Sequence, residues 1–111
     1  MLAKKIAAFA DDKKALDIVI LDMRQLVNFC DFFVLCSGNT ERQVKAIADG
    51  VDEGLAQIGI KIGSKSNAKQ ADWIVFDAGD VVVHIFQKDK REFYNLEYLW
   101  KEAKQVAWES S

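Results

Sequence analysis

What this chain lacks narrows its function before any motif is read. Its 111 residues include no proline, so breaks between elements must come from glycine and polar clusters. It has two cysteines, Cys30 and Cys36, with no C-x-x-C spacing, and one histidine, His84. That set alone cannot supply four ligands to a structural zinc, and it reads as two reduced thiols in a reducing compartment. No apolar run approaches the ~20 residues of a membrane span, and no apolar stretch follows the first lysines as a secretory leader requires. The expected location is therefore the cytoplasm, with no membrane contact. An excess of positive charge is missing too: 15 Lys and Arg face 17 Asp and Glu, for a formal net charge of −2. Proteins that grip phosphates usually carry a net basic face. Direct DNA or RNA binding is thus the weaker reading, and a basic protein partner the better one. There is no internal repeat, no low-complexity segment and no glycine-rich phosphate loop.

What is present reads as one globular domain over residues 1–111. Half of the residues are hydrophobic and 29% are charged, an ordinary balance for a chain that buries roughly two-thirds of its unfolded surface. Leu2, Ile6 and Phe9 recur with helical spacing, and residues 11–14 form a polar exit. Residues 18–21 and 32–36 are aliphatic or aromatic runs without alternation, which predicts two strands buried on both faces, with a helical turn between them. Thr40 and Gln43 form a capping box. The helix they open carries Val44, Ile47, Ala48, Val51, Leu55 and Ile58 on one face and ends at Gly59. Gly54 inside it costs up to ~1 kcal/mol relative to alanine, which a close contact would explain. Residues 60–62 are expected as a short edge strand, and residues 63–70 as a polar loop. Residues 73–76 and 81–87 form a hairpin around Gly79. Asp89 and Glu92 are expected to cap a short helix, and Asn95 a last one bearing Leu96, Leu99, Trp100 and Val106. The architecture expected is α/β: a mixed sheet of about five strands flanked by helices.

The densest information lies in residues 77–100, where a tight turn feeds a β-branched strand and the strand feeds a helix crowded with aromatics. A sheet and a helix should converge there on one small surface. Asp77 and Asp80 flank the turn. As a pair they could hold Mg²⁺, but aspartate is favoured near turns for local reasons. Ser37-Gly38-Asn39-Thr40 could offer backbone N–H groups to an anion, though it is shorter than a P-loop and reads better as a plain helix entry. His84, mid-strand among valines, reads as a hydrogen-bonded sheet residue rather than a base, with no nucleophile beside it. Trp73, Tyr94, Tyr98 and Trp100 stand at element ends. Such positions suit both core rims and interface anchors. Lys88, Lys90 and Arg91 read as a solvated basic face.

Three blocks carry a resemblance to a known family. They are Asp31-Phe32-Phe33-Val34-Leu35-Cys36-Ser37-Gly38-Asn39-Thr40-Glu41-Arg42-Gln43-Val44, then Trp73-Ile74-Val75-Phe76-Asp77-Ala78-Gly79-Asp80-Val81-Val82-Val83-His84, then Arg91-Glu92-Phe93-Tyr94-Asn95-Leu96-Glu97-Tyr98-Leu99-Trp100. In this order and at this spacing, residues 16–106 resemble the RsfS (Iojap-like) family, the ribosomal silencing factors. The resemblance implies a nucleotidyltransferase-like fold without that superfamily's catalytic carboxylates, no enzymatic activity and no cofactor or metal. It implies binding to protein fourteen of the large ribosomal subunit, a steric block to joining of the subunits, repression of translation, and a homodimer. Carried over by position, the partner-binding residues are Trp73, Asp77, Asp80, Tyr94, Leu96 and Glu97, with the tryptophan as apolar anchor and the carboxylates facing lysine or arginine. Family members often carry a Glu-Gly pair in the loop before the tryptophan; here residues 64–72 read Ser-Lys-Ser-Asn-Ala-Lys-Gln-Ala-Asp. Two other readings compete: an Mg²⁺-dependent nucleotidyltransferase-like enzyme using Asp77 and Asp80, and a dimerisation module built on the aromatic segment 95–108.

Overall fold

In the computed structural model, which describes residues 1–62 and 72–108, the chain runs α1 (Leu2–Asp12), β1 (Leu16–Asp22), β2 (Phe32–Gly38), α2 (Glu41–Gln57), β3 (Trp73–Ala78), β4 (Val81–Gln87), α3 (Lys88–Tyr94), α4 (Leu96–Leu99) and β5 (Lys104–Val106). The strands form one mixed sheet in the order β3-β4-β2-β1-β5. β2 and β4 are parallel, from Phe32 opposite Val81 to Gly38 opposite Gln87, and the other pairings are antiparallel. The predicted mixed five-stranded α/β sheet is therefore correct.

Side-chain alternation along the strands divides the interior into two layers. Ile20, Phe32, Val34, Cys36, Ile74, Phe76, Val83 and Ile85 face α1 and α2 and pack with Ile6, Ile47, Val51 and Leu55. Leu21, Phe33, Leu35, Val82 and Phe86 face the opposite way, toward Met23, Leu96 and Trp100. β2 is buried along its whole length, as its unbroken apolar run predicts. β1 is not: only Ile20 and Leu21 are buried. The reason is its neighbour, since β5 pairs with residues 20–22 alone and leaves the first half of β1 at an open edge.

The entry to α2 carries the expected cap with one change. The Thr40 hydroxyl accepts the Gln43 N–H at 3.1 Å, but the Gln43 carbonyl oxygen accepts from the N–H of Asn39, one residue earlier than a capping box requires. The Gln43 amide also donates to the Lys14 carbonyl and ties α2 to the exit of α1. These bonds occupy the N–H groups of Asn39 and Gln43, so the segment is a helix entry. Gly59 takes a φ of +81° just past the helix, as its position predicts. Ile58 is 42% exposed and does not join the apolar face, because the helix has already ended at Gln57.

Four expectations fail near the ends of elements. Residues 60–62 form no strand; Ile60 and Ile62 only pack against the helical layer. Asp89 does not cap α3, which starts one residue earlier, at Lys88, with Gln87 at the cap position and no side-chain cap bond. Asn95 gives no side-chain cap either: it sits at φ +49° between α3 and α4, a conformation that asparagine tolerates better than most residues. The last helix is a single turn, and Val106 belongs to β5. Residues 63–71, which include nearly all of the stretch departing from the family pattern, lie outside the described residues.

Gly54 has a clear reason. A Cβ there would lie 2.6 Å from Cγ of Phe9 in α1, the root of the ring rather than the far end of a flexible side chain. Gly54→Ala should therefore lower stability by about 1–3 kcal/mol despite its better helix propensity. Adding Phe9→Ala should make the two changes non-additive. Urea unfolding of both variants followed by circular dichroism checks this.

Candidate functional site

The hairpin and the helix after it do converge. β4 runs into α3 without a loop, so α3 folds back over the end of the hairpin. Trp73, at the start of β3, is opposite Phe86 and diagonal to His84 in the antiparallel register. The Trp73 ring stacks on Phe86 with centroids 5.2 Å apart and meets Tyr94 of α3 at 4.8 Å. Its indole N–H donates to His84 Nδ1 at 3.1 Å. Phe33 packs on His84 at 4.6 Å and meets Trp100 edge-on at 6.1 Å. The result is a continuous aromatic layer over the sheet face that α1 and α2 leave free. Tyr94, 43% exposed, forms its outer rim beside the exposed Phe93, Tyr98 and Leu99.

Arg91 holds this cap down. Its Nε donates to Glu97 Oε1 at 2.8 Å, and its Nη1 donates to the Asp17 carbonyl at 2.6 Å and to Ser37 Oγ at 3.0 Å. One guanidinium thus joins α3, the segment after it, β1 and β2. Asp17 adopts a φ of +50° at an irregularity in the β1–β2 pairing, which aims its carbonyl off the ladder. An open groove of about 670 Å³ runs past these groups, lined by Asp17, Ile18, Ser37, Arg91, Asn95 and Glu97 among others. The expected solvated basic cluster is thereby corrected: Lys88 and Lys90 are exposed, but the Arg91 side chain is only 11% exposed and is committed to the fold.

The residues assigned as partner-binding fall into two groups. Trp73, Tyr94 and Leu96 lie together on the aromatic layer, with Glu97 beside them and paired to Arg91. Asp77 and Asp80 lie at the other end of the hairpin, roughly 13 Å along the strand from Trp73 at ~3.3 Å per residue. Trp73, Val75 and Asp77 share a sheet face because they alternate. Asp77 is in the body of β3, opposite Val82, and not at the turn. The turn is Gly79-Asp80, with Gly79 at φ +64°. The Asp80 carbonyl accepts the N–H groups of Asp31 and Phe32, which fastens the turn to the start of β2. Both aspartates are exposed, and Asp31 lies beside them as a third exposed carboxylate. Among the described residues no three His, Cys, Asp or Glu side chains are grouped so as to hold a metal ion.

Sequence reasoning missed Phe33 and Phe86 as members of the layer, although period-two spacing places Phe86 on the face of His84. It also missed the Arg91 clasp, for which the sequence holds no local signal. The reading of His84 as a hydrogen-bonded sheet residue is correct. Both thiols are free and buried, and burial pushes the Cys36 thiol up to about 12. Burial, with the carboxylates of Asp31, Asp77 and Asp80 adding to it, also raises Cys30. Neither thiol is activated.

The site is an aromatic layer with exposed carboxylates at one end, on a mixed α/β sheet. Comparison with known proteins gives the family. Residues 1–111 match the model of the family described as "Ribosomal silencing factor during starvation". The chain is 43% identical over 102 residues to the ribosomal silencing factor RsfS of Bacillus subtilis, covering 92% of this chain and 86% of that protein. A solved structure of a Bacillus halodurans protein superposes with a TM-score of 0.85 at 42% identity, over 96% of each chain. A mouse protein named "Mitochondrial assembly of ribosomal large subunit protein 1" is 29% identical over 91 residues, 79% of this chain and 40% of its own length. This chain belongs to the RsfS ribosomal silencing factor family.

Two outcomes test the site's construction. Arg91→Ala should cost about 2–3 kcal/mol, the worth of charge-assisted hydrogen bonds lost together. Arg91→Lys should recover little, since an ammonium cannot span the same acceptors. Chemical unfolding checks both. Burial holds His84 down at about 4, from an ordinary 6.5. Between these values the unfolded chain binds a proton that the folded chain refuses. Stability should therefore be level above pH 6.5 and fall as pH drops toward 4, by an amount on the order of 3 kcal/mol from this group. A series of urea melts from pH 7.5 to 4, compared with His84→Asn, isolates that slope.

Proposed function

We propose that this protein binds the large ribosomal subunit through its protein fourteen and sterically prevents the small subunit from joining, so that translation is repressed. The observation that carries the proposal is the aromatic layer itself: Trp73 and Tyr94 in contact on the sheet face that α1 and α2 leave free, with exposed carboxylates at the hairpin's far end. Interfaces favour such Trp and Tyr anchors. Acidic side chains to one side of an apolar centre suit a basic ribosomal protein, speeding encounter and disfavouring wrong partners. In this reading Trp73 is the central anchor, Tyr94 and Leu96 extend the apolar contact, and Asp77, Asp80 and Glu97 face lysine or arginine. Glu97 does so with its remaining acceptor capacity, since Arg91 takes one oxygen. The protein acts by occupancy and not by catalysis, as a single domain in the cytoplasm, and it self-associates as a homodimer.

The family name supports a ribosomal target, and the mouse relative's name, which mentions assembly of the ribosomal large subunit, supports the choice of subunit. No helix among the described residues is long and apolar enough to cross a membrane.

Sucrose-gradient sedimentation with isolated large and small subunits tests this. The protein should co-migrate with the large subunit and reduce the joined ribosome peak. Trp73→Ala should keep its circular dichroism spectrum but lose 2 kcal/mol or more of binding, roughly thirtyfold. Normal co-sedimentation of Trp73→Ala would remove the anchor assignment. No association of the wild-type protein with either subunit would remove the proposal.

A further inference from the structure

His84 is expensive to keep where it is. It is 6% exposed, in the middle of a central strand, with Leu35 and Val75 as its register partners. Its Nε2 is buried and has no hydrogen-bond partner among the described residues. A buried polar nitrogen left unpaired is destabilising, and an aliphatic side chain between Leu35 and Val75 would suit the sheet better. The one polar contact given to the imidazole is the indole N–H of Trp73 on Nδ1. That bond fixes the tautomer: Nδ1 is the acceptor, so the proton is on Nε2. It also fixes the indole. Phe86 and Tyr94 restrict the plane of the Trp73 ring, but a stacked ring can still turn over within its slot. The bond to a buried acceptor decides which edge points inward.

We propose that His84 is the positioning residue of the docking face, latching the Trp73 indole with its N–H edge turned into the protein so that a partner meets only the apolar remainder of the ring. The inference rests on the reading of Trp73 as an anchor and adds a specificity to it. The partner surface opposite Trp73 is aliphatic or aromatic and offers no hydrogen-bond acceptor, because the indole donor is already taken. Burial keeps His84 neutral across the near-neutral range, so the acceptor is always available. A latched indole also has less rotamer freedom to lose on docking.

The test pairs two substitutions with two readouts. His84→Phe keeps a ring in place and removes the acceptor; His84→Asn places a carbonyl oxygen near the position of Nδ1. The first readout is hydrogen exchange of the Trp73 indole N–H by ¹H–¹⁵N NMR, assigned with Trp73→Phe. The second is affinity for isolated large subunits. His84→Phe should speed indole exchange about tenfold and weaken binding roughly fivefold, the worth of one ordinary hydrogen bond. His84→Asn should return both toward wild type. Unchanged indole exchange in His84→Phe would overturn the latch. Faster exchange with unchanged binding would overturn the positioning role. If Trp73→Ala also binds normally, the anchor reading itself has failed; if Trp73→Ala loses binding, only the role of His84 has.

Discussion

The parallel pairing of β2 with β4 is the constraint from which the rest of the structure follows. Seven residues of each strand lie in register, and nearly every side chain on both is buried. Two adjacent central strands buried on both faces demand two apolar covers. α1 and α2 provide one, with continuous helical faces that fit the sheet. The other is assembled from short pieces: Met23, Val27 and Cys30 of the β1–β2 connection, and Leu96, Trp100 and Ala103 from α4 and the segment leading to β5. So short a cover is irregular. At its centre the rings of Tyr94 and Trp100 meet Trp73, Phe86 and Phe33 of the strands, and large rings bury more area per residue than aliphatic side chains do.

Such a cover has no long helix to hold it in place, and the polar contacts of Arg91 and His84 take that role. Arg91 brings the start of α4 and two strands to one guanidinium, and His84 ties the first residue of β3 to the centre of β4. Their environments differ. Arg91 borders an open groove, where its charge stays partly hydrated. His84 is enclosed and has to stay neutral. The aromatic layer is thus fastened by a charged group at its edge and an uncharged one at its centre, as the desolvation cost of each requires.

How much of this the sequence displayed depended on whether the signal was local. The hairpin around Gly79, the entry to α2 and the burial of β2 follow from turn chemistry, capping and unbroken apolar runs, and they were legible. So was the convergence of hairpin and helix, because no residues separate Gln87 from Lys88. Residues 60–62 have strand composition but no strand pairs with them. Val106 has helical spacing from Leu99, yet it joins β1, more than eighty residues away in sequence. Asp89 lies inside α3, two residues past the cap position at Gln87, and Asn95 stands at the cap position of α4 but in the left-handed conformation with no side-chain cap bond. For residues 60–62 and Val106 the presence or absence of a distant strand partner decided the outcome, which local propensity does not display. The candidate site was readable in its anchors, Trp73 and Tyr94, whose positions at element ends marked them. Its supports were not, because Arg91 reaches acceptors at Asp17 and Ser37 that only the folded sheet brings near.

The split of the assigned residues along one face has its own logic. Trp73 and Asp77 share a sheet face but sit at opposite ends of β3, so the aspartates stand apart from the apolar contact, while Glu97, the assigned carboxylate beside it, is already paired to Arg91. An anchor surrounded closely by carboxylates would lose on desolvating them what it gains on burial. Carboxylates a strand's length away remain hydrated at the rim, where, in the proposed reading, they would bias encounter with a basic surface at little cost to the docked state. The same separation protects His84. The exposed aspartates lie toward the turn while the imidazole lies under the rings, so no nearby anion stabilises its protonated form and burial decides its charge. A neutral, acceptor-only Nδ1 beneath a stacked indole is what that geometry produces, and it leaves the outward edge of Trp73 free of any donor.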